Sequence, residues 1–409
     1  MLKEKYIENI KETSISIANS NIDAVRLKND TKTSLRVYKD GIIGVAGAIG
    51  KYNEDELEKQ AIEGLEQNIP YPYQLSGYRK ENVDKRLEII KEEELVSEVD
   101  KFLCELKNNH PEFSFSNKIN LKETSTRILN DNVLDLQYAD RGITIQLLFK
   151  HKNSSSLFDG FIGAEERKYD RNLLLQESEI ILNTFNNKVN LPKNKKYPVV
   201  FAHYIPVNKL INDLSGKAFG TGSSLFSNKI DEKIFSENFT FHQSLNPQDV
   251  INMPFFDAEG VVNNDYRCTL IENGVLKALY TDKKTSTKFN LPLTGSSTSF
   301  YDGVPVVSPL NYKIKESNNT LKELIGGDMA IISMMADGGE FTPKGDFATP
   351  VQLAFLFDGE KILGRLPEIQ FTSNIYDMFG NGFRGVSKDN LLPFSTSKFV
   401  VMDLDVSTI

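Results

Sequence analysis

The stretch FDAEGVVNNDYRCTLIENGVLKALYTDKKTSTKFNLPLTGSS, residues 256–297, contains the strongest local folding signals in the chain. Asn273-Gly274 lies between two apolar runs, and this dipeptide favours the type I′ turn of a β-hairpin because both central residues adopt positive φ. Asp282 then stands at the N-cap position of a short helix over 283–289. These patterns predict a hairpin followed by a helix, but they name no reaction.

The composition indicates a globular protein with more than one domain. A chain of 409 residues with 40% hydrophobic and 25% charged residues has room for two or three domains. The formal net charge of −8 argues against a broad nucleic-acid interface, because such an interface needs a basic surface. Nucleic acid is therefore not an expected partner.

The sequence also bears on the cellular compartment. Charges run through residues 1–12, so no apolar core of a signal peptide is present there. The longest weakly polar run, residues 41–50, contains four glycines and is too short to cross a bilayer, which takes about 20 residues. Cys104 and Cys268 are far apart in the chain, which suits reduced thiols. We therefore expect a cytoplasmic protein without a membrane span.

Hydrophobic periodicity predicts an α+β first half in which helices alternate with antiparallel meanders. Apolar residues near one stripe predict a helix over 3–18, and Asn29-Asp30 and Asp140-Arg141-Gly142 predict turns between strands. Three further helices are predicted over 54–66, 92–108 and 171–186.

A proline and lysine cluster at 191–197 predicts a domain boundary, which gives an N-terminal α+β domain over 1–192 and a C-terminal domain over 197–409. The second half is mainly β with antiparallel sheets and many turns, such as Asp337-Gly338. Strands are expected over 198–202 and 398–406, and helices over 206–216 and 374–379.

A few side chains could carry chemistry by themselves. Asp257 and Glu259 lie on one side of a predicted strand, as an acid and base pair would, although capping of a turn beside Gly260 is the alternative. Cys268 could act as a nucleophile or pack as a small apolar side chain. His203, His242 and Cys268 could be metal ligands, but separations of 39 and 26 residues match no compact site.

Several motifs in order resemble one protein family. They read D-x-E-G-V from Asp257, L-I-E-N-G-V-L-K from Leu270, T-S-T-K-F-N-L from Thr285, T-G-S from Thr294 and I-Q-F-T-S-N-I-Y-D-M-F from Ile369. Together they resemble the TldD/PmbA family of metallopeptidases, also labelled modulators of DNA gyrase. The resemblance covers about 199–385 and departs from the usual motif at Ser373, where glycine is common.

The resemblance implies a specific zinc chemistry that this chain lacks. Catalytic members carry HExxxH on a helix, with both histidines on zinc and the glutamate as general base. Counted from Pro198, these three positions read Ile211, Asn212 and Gly216, none of which binds zinc or accepts a proton. The segment instead resembles the PmbA branch, also called TldE, which pairs with the zinc-bearing TldD subunit. No cofactor is then expected in this chain, and zinc is expected in the partner.

Three functions follow as hypotheses. The first is a non-catalytic, PmbA/TldE-like subunit of a peptide-cleaving complex, with Asp257, Glu259, Gly260 and Asn374 as candidates for its substrate channel. A TldD-like chain is its expected partner, and an unfolded or small peptide would add to a sheet edge. The second is a stand-alone homodimer that binds peptides or acts as a scaffold. The third is an autonomous hydrolase that uses Asp257, Glu259 or Cys268.

Overall fold

The computed structural model describes residues 1–193, 195–201, 206–336 and 339–409. The candidate ligand His203 and the predicted turn at Asp337-Gly338 lie outside these ranges.

The first half forms an eight-stranded sheet in the order β4-β3-β2-β1-β6-β7-β5, with β8 paired to β7. Its pairings are antiparallel except for β5 with β7. The strands are β1 (Leu2–Ala18), β2 (Asn21–Lys39), β3 (Ile42–Ile49), β4 (Ile69–Pro70), β5 (Arg79–Asp84), β6 (Phe113–Asn130), β7 (Leu134–His151) and β8 (Gly160–Glu166).

Three local predictions in this sheet are wrong. The expected helix over 3–18 is strand β1, the turn at Asn29-Asp30 lies within β2, and the turn at Asp140-Arg141-Gly142 lies within β7. β1 pairs with β2 along its whole length and with β6 from Glu4 to Ile17. These two ladders satisfy its backbone groups and outweigh the weak helical stripe.

The other three predicted helices of this half are confirmed. They are α1 (Glu54–Glu63), which continues as a 3₁₀ turn to Gln67, α2 (Glu92–Asn109) and α3 (Arg171–Asn186). Asn53 and Asp170 cap α1 and α3 by accepting from backbone N–H groups of the first turn. α2 buries a regular stripe that includes Val99 and Phe102.

The second half contributes further strands in its described part. They are β9 (Lys196–Phe201), β10 (Phe241–Ser244), β11 (Arg267–Glu272), β12 (Val275–Leu276), β13 (Ser297–Thr298), β14 (Val306–Val307), β15 (Tyr312–Ile314), β16 (Ala330–Ala336), β17 (Glu340–Phe341), β18 (Asp346–Phe357), β19 (Ile362–Arg365), β20 (Ile369–Asn374), β21 (Phe383–Val386) and β22 (Val400–Thr408). β9, β22, β20, β18 and β16 pair in a closed ring, in which only β9 and β16 run parallel.

The hairpin predicted from Asn273-Gly274 is confirmed as β11 and β12, with φ of 48° and 79° at the two turn residues. Short helices join the strands of this half: α4 (Val207–Asp213), α5 (Gly216–Gly220), α6 (Lys283–Phe289), α7 (Leu321–Ile325) and α8 (Ile375–Phe379). α6 has Asp282 as its N-cap, as predicted. The predicted helix over 206–216 instead ends at Asp213, and α5 begins at Gly216.

Two large hydrophobic clusters share the wall of the ring. Along β9, Val200 belongs to one cluster, while Val199 and Phe201 belong to the other. The Val200 cluster also contains Phe115 of β6 and Leu103 of α2, so side chains from both halves pack together. The architecture is α+β with antiparallel sheets, as the sequence predicts. None of the helices in the described ranges has the length and apolarity to span a bilayer.

Candidate functional site

The segment Asp257–Gly260 forms a tight turn pressed between the first sheet and the second half. Gly260 N–H donates to Asp257 O at 3.0 Å, and Gly260 has φ of +69°. A Cβ at this position would lie 2.5 Å from Cδ2 of Leu134 on β7. Glycine is therefore required here both by the left-handed conformation and by the close approach of β7.

Asp257 caps this turn, and both of its carboxylate oxygens accept hydrogen bonds from groups inside the protein. Its Oδ1 accepts from the N–H groups of Glu259 and Val261 at 2.9 Å each, and its Oδ2 accepts from Ser297 N–H at 3.1 Å and Oγ–H at 2.7 Å. The side chain is only 2% exposed. Burial raises the pKa of Asp257 and the donors oppose this. The geometry of Asp257 is therefore that of a carboxylate capping the turn beside Gly260.

Glu259 is buried beside it and has a strongly perturbed carboxyl group. Oε1 accepts from the Tyr71 hydroxyl at 2.6 Å, and Oε2 accepts from Lys283 N–H, at the start of α6, at 2.9 Å. Burial raises the pKa of Glu259 to about 7, and the negative charge of Asp257 adds to this effect. Glu259 can therefore gain or lose a proton near neutral pH.

Two cations reach the carbonyl groups of the segment instead of its carboxylates. Arg36 on β2 is fully buried, and its Nη1 donates to Ala258 O at 2.6 Å and to Glu4 Oε1 at 3.0 Å. Lys283 Nζ donates to Glu259 O at 3.3 Å. Glu4 compensates the charge of Arg36, and Arg36 in turn bonds to the segment. The segment is therefore linked to the first sheet by a buried ionic network.

The network approaches solvent at a groove rich in aromatic side chains. Tyr71, which donates to Glu259, lines this groove of about 600 Å³ together with Tyr38, Tyr73 and Tyr78. The ring centroids of Tyr38 and Tyr71 lie 5.3 Å apart, and those of Tyr71 and Tyr73 lie 4.9 Å apart. A molecule in this groove would meet Tyr71 before it met the carboxyl group of Glu259.

Sequence reasoning missed Arg36, Glu4 and Tyr71. Tyr71 and Glu259 are separated by 188 residues, so no spacing could connect them. The one available signal was a charged residue within the apolar run around Arg36 on β2, where burial demands a partner.

His242 and Cys268 do not converge. In the β10–β11 register, His242 is opposite Thr269 and Cys268 is opposite Gln243. Directly opposite residues share a face and successive residues alternate, so these two side chains point to opposite faces of the sheet. His242 Nδ1 instead lies 3.0 Å from Thr269 Oγ1, and burial lowers the pKa of His242.

The Cys268 thiol is in an unfavourable setting for a nucleophile. Burial raises its pKa to about 11, and the reactive species of cysteine is the thiolate. Asn374 serves as the N-cap of α8, where its Oδ1 accepts from Tyr376 N–H at 3.0 Å. Its Nδ2 donates to Asp346 Oδ1 at 2.8 Å. A channel role for Asn374, Asp257, Glu259 and Gly260 stays a prediction.

Of the three positions counted for the zinc motif, Gly216 is buried, Ile211 is partly buried and Asn212 is exposed. Ile211 on α4 packs against the second-half core, and Gly216 N–H donates to Tyr280 O at 3.0 Å. A Cβ on Gly216 would lie 2.6 Å from Thr281 Cγ2. Within the ranges that the structure describes, no three His, Cys, Asp or Glu side chains are grouped so that they could hold a metal ion.

Comparison with known proteins places this geometry in a family. The PmbA/TldA metallopeptidase C-terminal domain matches residues 194–408, and domain 1 of the same family matches residues 5–65. An uncharacterized protein of Methanocaldococcus jannaschii is 24% identical over 380 residues, which cover 90% of this chain and 87% of that protein. A zinc metalloprotease TldD homolog of Saccharolobus solfataricus is 26% identical over 209 residues, 49% of this chain and 46% of that protein.

Solved structures show the same fold over the whole chain. TldE from Thermococcus kodakarensis superposes with a TM-score of 0.78 at 18% identity, covering 99% of this chain and 96% of TldE. A protein described as a modulator of DNA gyrase from Thermotoga maritima superposes with a TM-score of 0.78 at 17% identity, with the same coverage of both chains. The C-terminal domain match spans more than half of the sequence, and the chain belongs to the PmbA/TldA metallopeptidase family, the TldD/PmbA family of the sequence motifs.

Proposed function

We propose that this chain is a PmbA/TldE-like subunit of a TldD/TldE-type metallopeptidase complex that cleaves unfolded or small peptides. The partner subunit holds the zinc ion, and this chain contributes to the substrate channel without a zinc site of its own. The observation that carries the proposal is the identity of the zinc-motif positions, which read Ile211, Asn212 and Gly216.

The local packing supports this assignment. Restoring a histidine at Gly216 would place a side chain against Thr281, where even a Cβ atom is too close. The break between α4 and α5 also prevents residues 211 and 216 from lying on one continuous helix, as HExxxH requires. Gly216 therefore packs closely against Thr281 and against Thr285 of α6.

The family comparisons support the choice of partner. A relative named as a zinc metalloprotease TldD homolog matches about half of this chain, and a structure named TldE has the same fold over nearly all of it. A two-subunit arrangement accounts for both names. Cys104 and Cys268 are free thiols, which agrees with a cytoplasmic complex.

The test is reconstitution with the HExxxH-bearing paralogue of the same host. The chain and the paralogue are purified separately, and zinc content, oligomeric state and cleavage of an unfolded peptide are measured for each alone and for the mixture. We expect a mixed dimer, zinc in the paralogue, and cleavage that appears only in the mixture and is lost on chelation.

A paralogue variant with glutamine in place of the HExxxH glutamate is the matched control, because it should assemble but not cleave. Zinc and chelator-sensitive cleavage in the present chain alone would refute the proposal. A homodimer that binds peptides and ignores the paralogue would support the stand-alone scaffold instead.

A further inference from the structure

A second groove, separate from the Asp257–Gly260 segment, opens beside the ring of strands. It has a volume of about 730 Å³ and lies between the loop before β8, the segment after α3 and the loop after β19. Its rim carries Leu157, which is 93% exposed, and Phe158, which is 36% exposed. Leu366 and Pro367 line it further. Leu157 and Phe158 thus give the rim an apolar character.

Arg365 lies in this groove and stacks on an aromatic ring. Its guanidinium carbon is 3.8 Å from the centroid of the Phe185 ring, and burial lowers its pKa. The negative charge of Asp159 opposes this effect on the pKa of Arg365, and the oxygens of Asp159 accept from His151 N–H at 2.7 Å and Ser154 Oγ–H at 2.6 Å. In the described part of the chain Arg365 forms no ion pair.

This setting differs from that of the other arginines removed from solvent. Arg36 is paired with Glu4 at 3.0 Å, although its Nε and Nη2 have no hydrogen-bond partner among the described residues, and Arg167 is paired with Asp140 at 2.7 Å. A half-buried guanidinium held against an aromatic ring keeps its planar fork oriented, and its N–H groups need acceptors. Arg365 is therefore prepared for an acceptor from outside the chain.

The groove also contains Met335, whose position is set by an irregularity in strand β16. The register between β16 and β18 shifts on both sides of Met335, and Met335 lines the groove. A bulge redirects a side chain that a regular strand would place elsewhere, and methionine adapts to apolar ligands of different shape. The groove thus offers an oriented cation next to an adaptable apolar surface.

We infer that this groove binds the C-terminal end of a short peptide, with its α-carboxylate on the Arg365 guanidinium and its last apolar side chain against Met335 and Leu366. Two parallel N–H···O bonds join a guanidinium and a carboxylate, and partial burial strengthens them. Lys188 and Arg365 are balanced by Asp159 and Glu368, so recognition comes from the oriented fork and not from net charge. The inference deepens the proposed function and rests on it for the peptide nature of the ligand.

The test compares two forms of one probe on the isolated full-length chain. The probe is an N-terminally fluorescein-labelled tetrapeptide that ends in leucine, either with a free carboxylate or as the amide, and binding is followed by fluorescence anisotropy. We expect the free acid to bind roughly 10- to 100-fold more tightly, as for a hydrogen-bonded charged pair. Arg365→Gln should abolish this difference, and Arg365→Lys should retain part of it.

Arg26→Gln is the matched control, because Arg26 is exposed on β2 and is not among the described residues that line the groove. It should leave the preference for the free acid unchanged. Asp159→Asn should tighten binding of the free acid a few-fold, since it removes a like charge near the bound carboxylate.

Equal binding of the acid and the amide, or no binding of either, would overturn the inference without any variant. A preference that survives Arg365→Gln would overturn the assignment to this groove. The assay needs neither a partner nor cleavage, so failure to assemble with the zinc-bearing paralogue would refute the proposed function and leave this result standing.

Discussion

The substitution Glu259→Gln tests the buried network most directly. Its amide oxygen can accept from Lys283 N–H, and its NH₂ group can donate to the Tyr71 hydroxyl, so both hydrogen bonds of Glu259 can be kept. The change therefore removes mainly the ability to ionise. Its effect on stability should depend on pH in a way that follows from the raised pKa.

The sign and size follow from proton linkage. The pKa of Glu259 rises from its ordinary value of 4.5 to about 7 on folding, so between these pH values the folded state binds the proton more tightly than the unfolded chain. The stability contributed by the protonated form is complete below about pH 4.5 and is lost as pH rises through about 7. At about 1.4 kcal/mol for each pH unit, the loss reaches about 3 kcal/mol.

We therefore compare the free energies of unfolding of Glu259→Gln and the wild type. Between pH 4.5 and 8, we expect this difference to shift in favour of the variant by up to about 3 kcal/mol, because only the wild type loses stability as Glu259 ionises. Urea unfolding followed by far-UV circular dichroism is the assay, because the chain contains no tryptophan. Glu88→Gln, in an exposed loop, is the matched control and should show no such trend. A difference between Glu259→Gln and the wild type that stays constant over this pH range would refute the raised pKa.

Three further predictions concern neighbouring features. Asp257→Asn should lower the free energy of unfolding by about 2–4 kcal/mol at neutral pH in the same urea assay, because its NH₂ group would face backbone donors. Gly260→Ala should cost about 2–4 kcal/mol by the same assay, whereas Gly222→Ala, with φ of +73° and open space around it, should cost about 1 kcal/mol; equal losses would contradict the close approach of β7. Cys104 is exposed and should react with an aromatic disulfide reagent at pH 8 far faster than Cys268, whose raised pKa leaves little thiolate; equal rates would contradict its burial.

Local signals were reliable where they involve a few consecutive residues. Asn273-Gly274 predicted the hairpin because the turn requires positive φ at both positions, and Asp282 predicted the start of α6 because its carboxylate accepts from the first turn. The helix over 171–186 agrees with α3 in both bounds. In these cases the physical cause lies within one turn of the chain.

Patterns failed where distant strands decide the outcome. Residues 3–18 contain apolar side chains that suit a weak helical stripe, yet β2 and β6 take both edges of this segment. Asp140-Arg141-Gly142 looks like a turn, but Asp140 is buried and paired with Arg167, so the strand continues through it. Strand pairing between residues that are distant in sequence is not indicated by the local pattern. A local pattern that resembles a turn therefore predicts a turn even where the strand continues.

By itself, the sequence determined the α+β class, the order of motifs that resemble the family, and the residues at the three positions counted for the zinc motif, Ile211, Asn212 and Gly216, since each depends on residue identity or local spacing. Only the tertiary structure decided which side chains meet. Arg36, Tyr71 and Glu259 come together because the first sheet packs against the Asp257–Gly260 turn, and the pKa of Glu259 rises because that packing excludes water. Burial and long-range contact belong to the folded chain, and no linear pattern contains them.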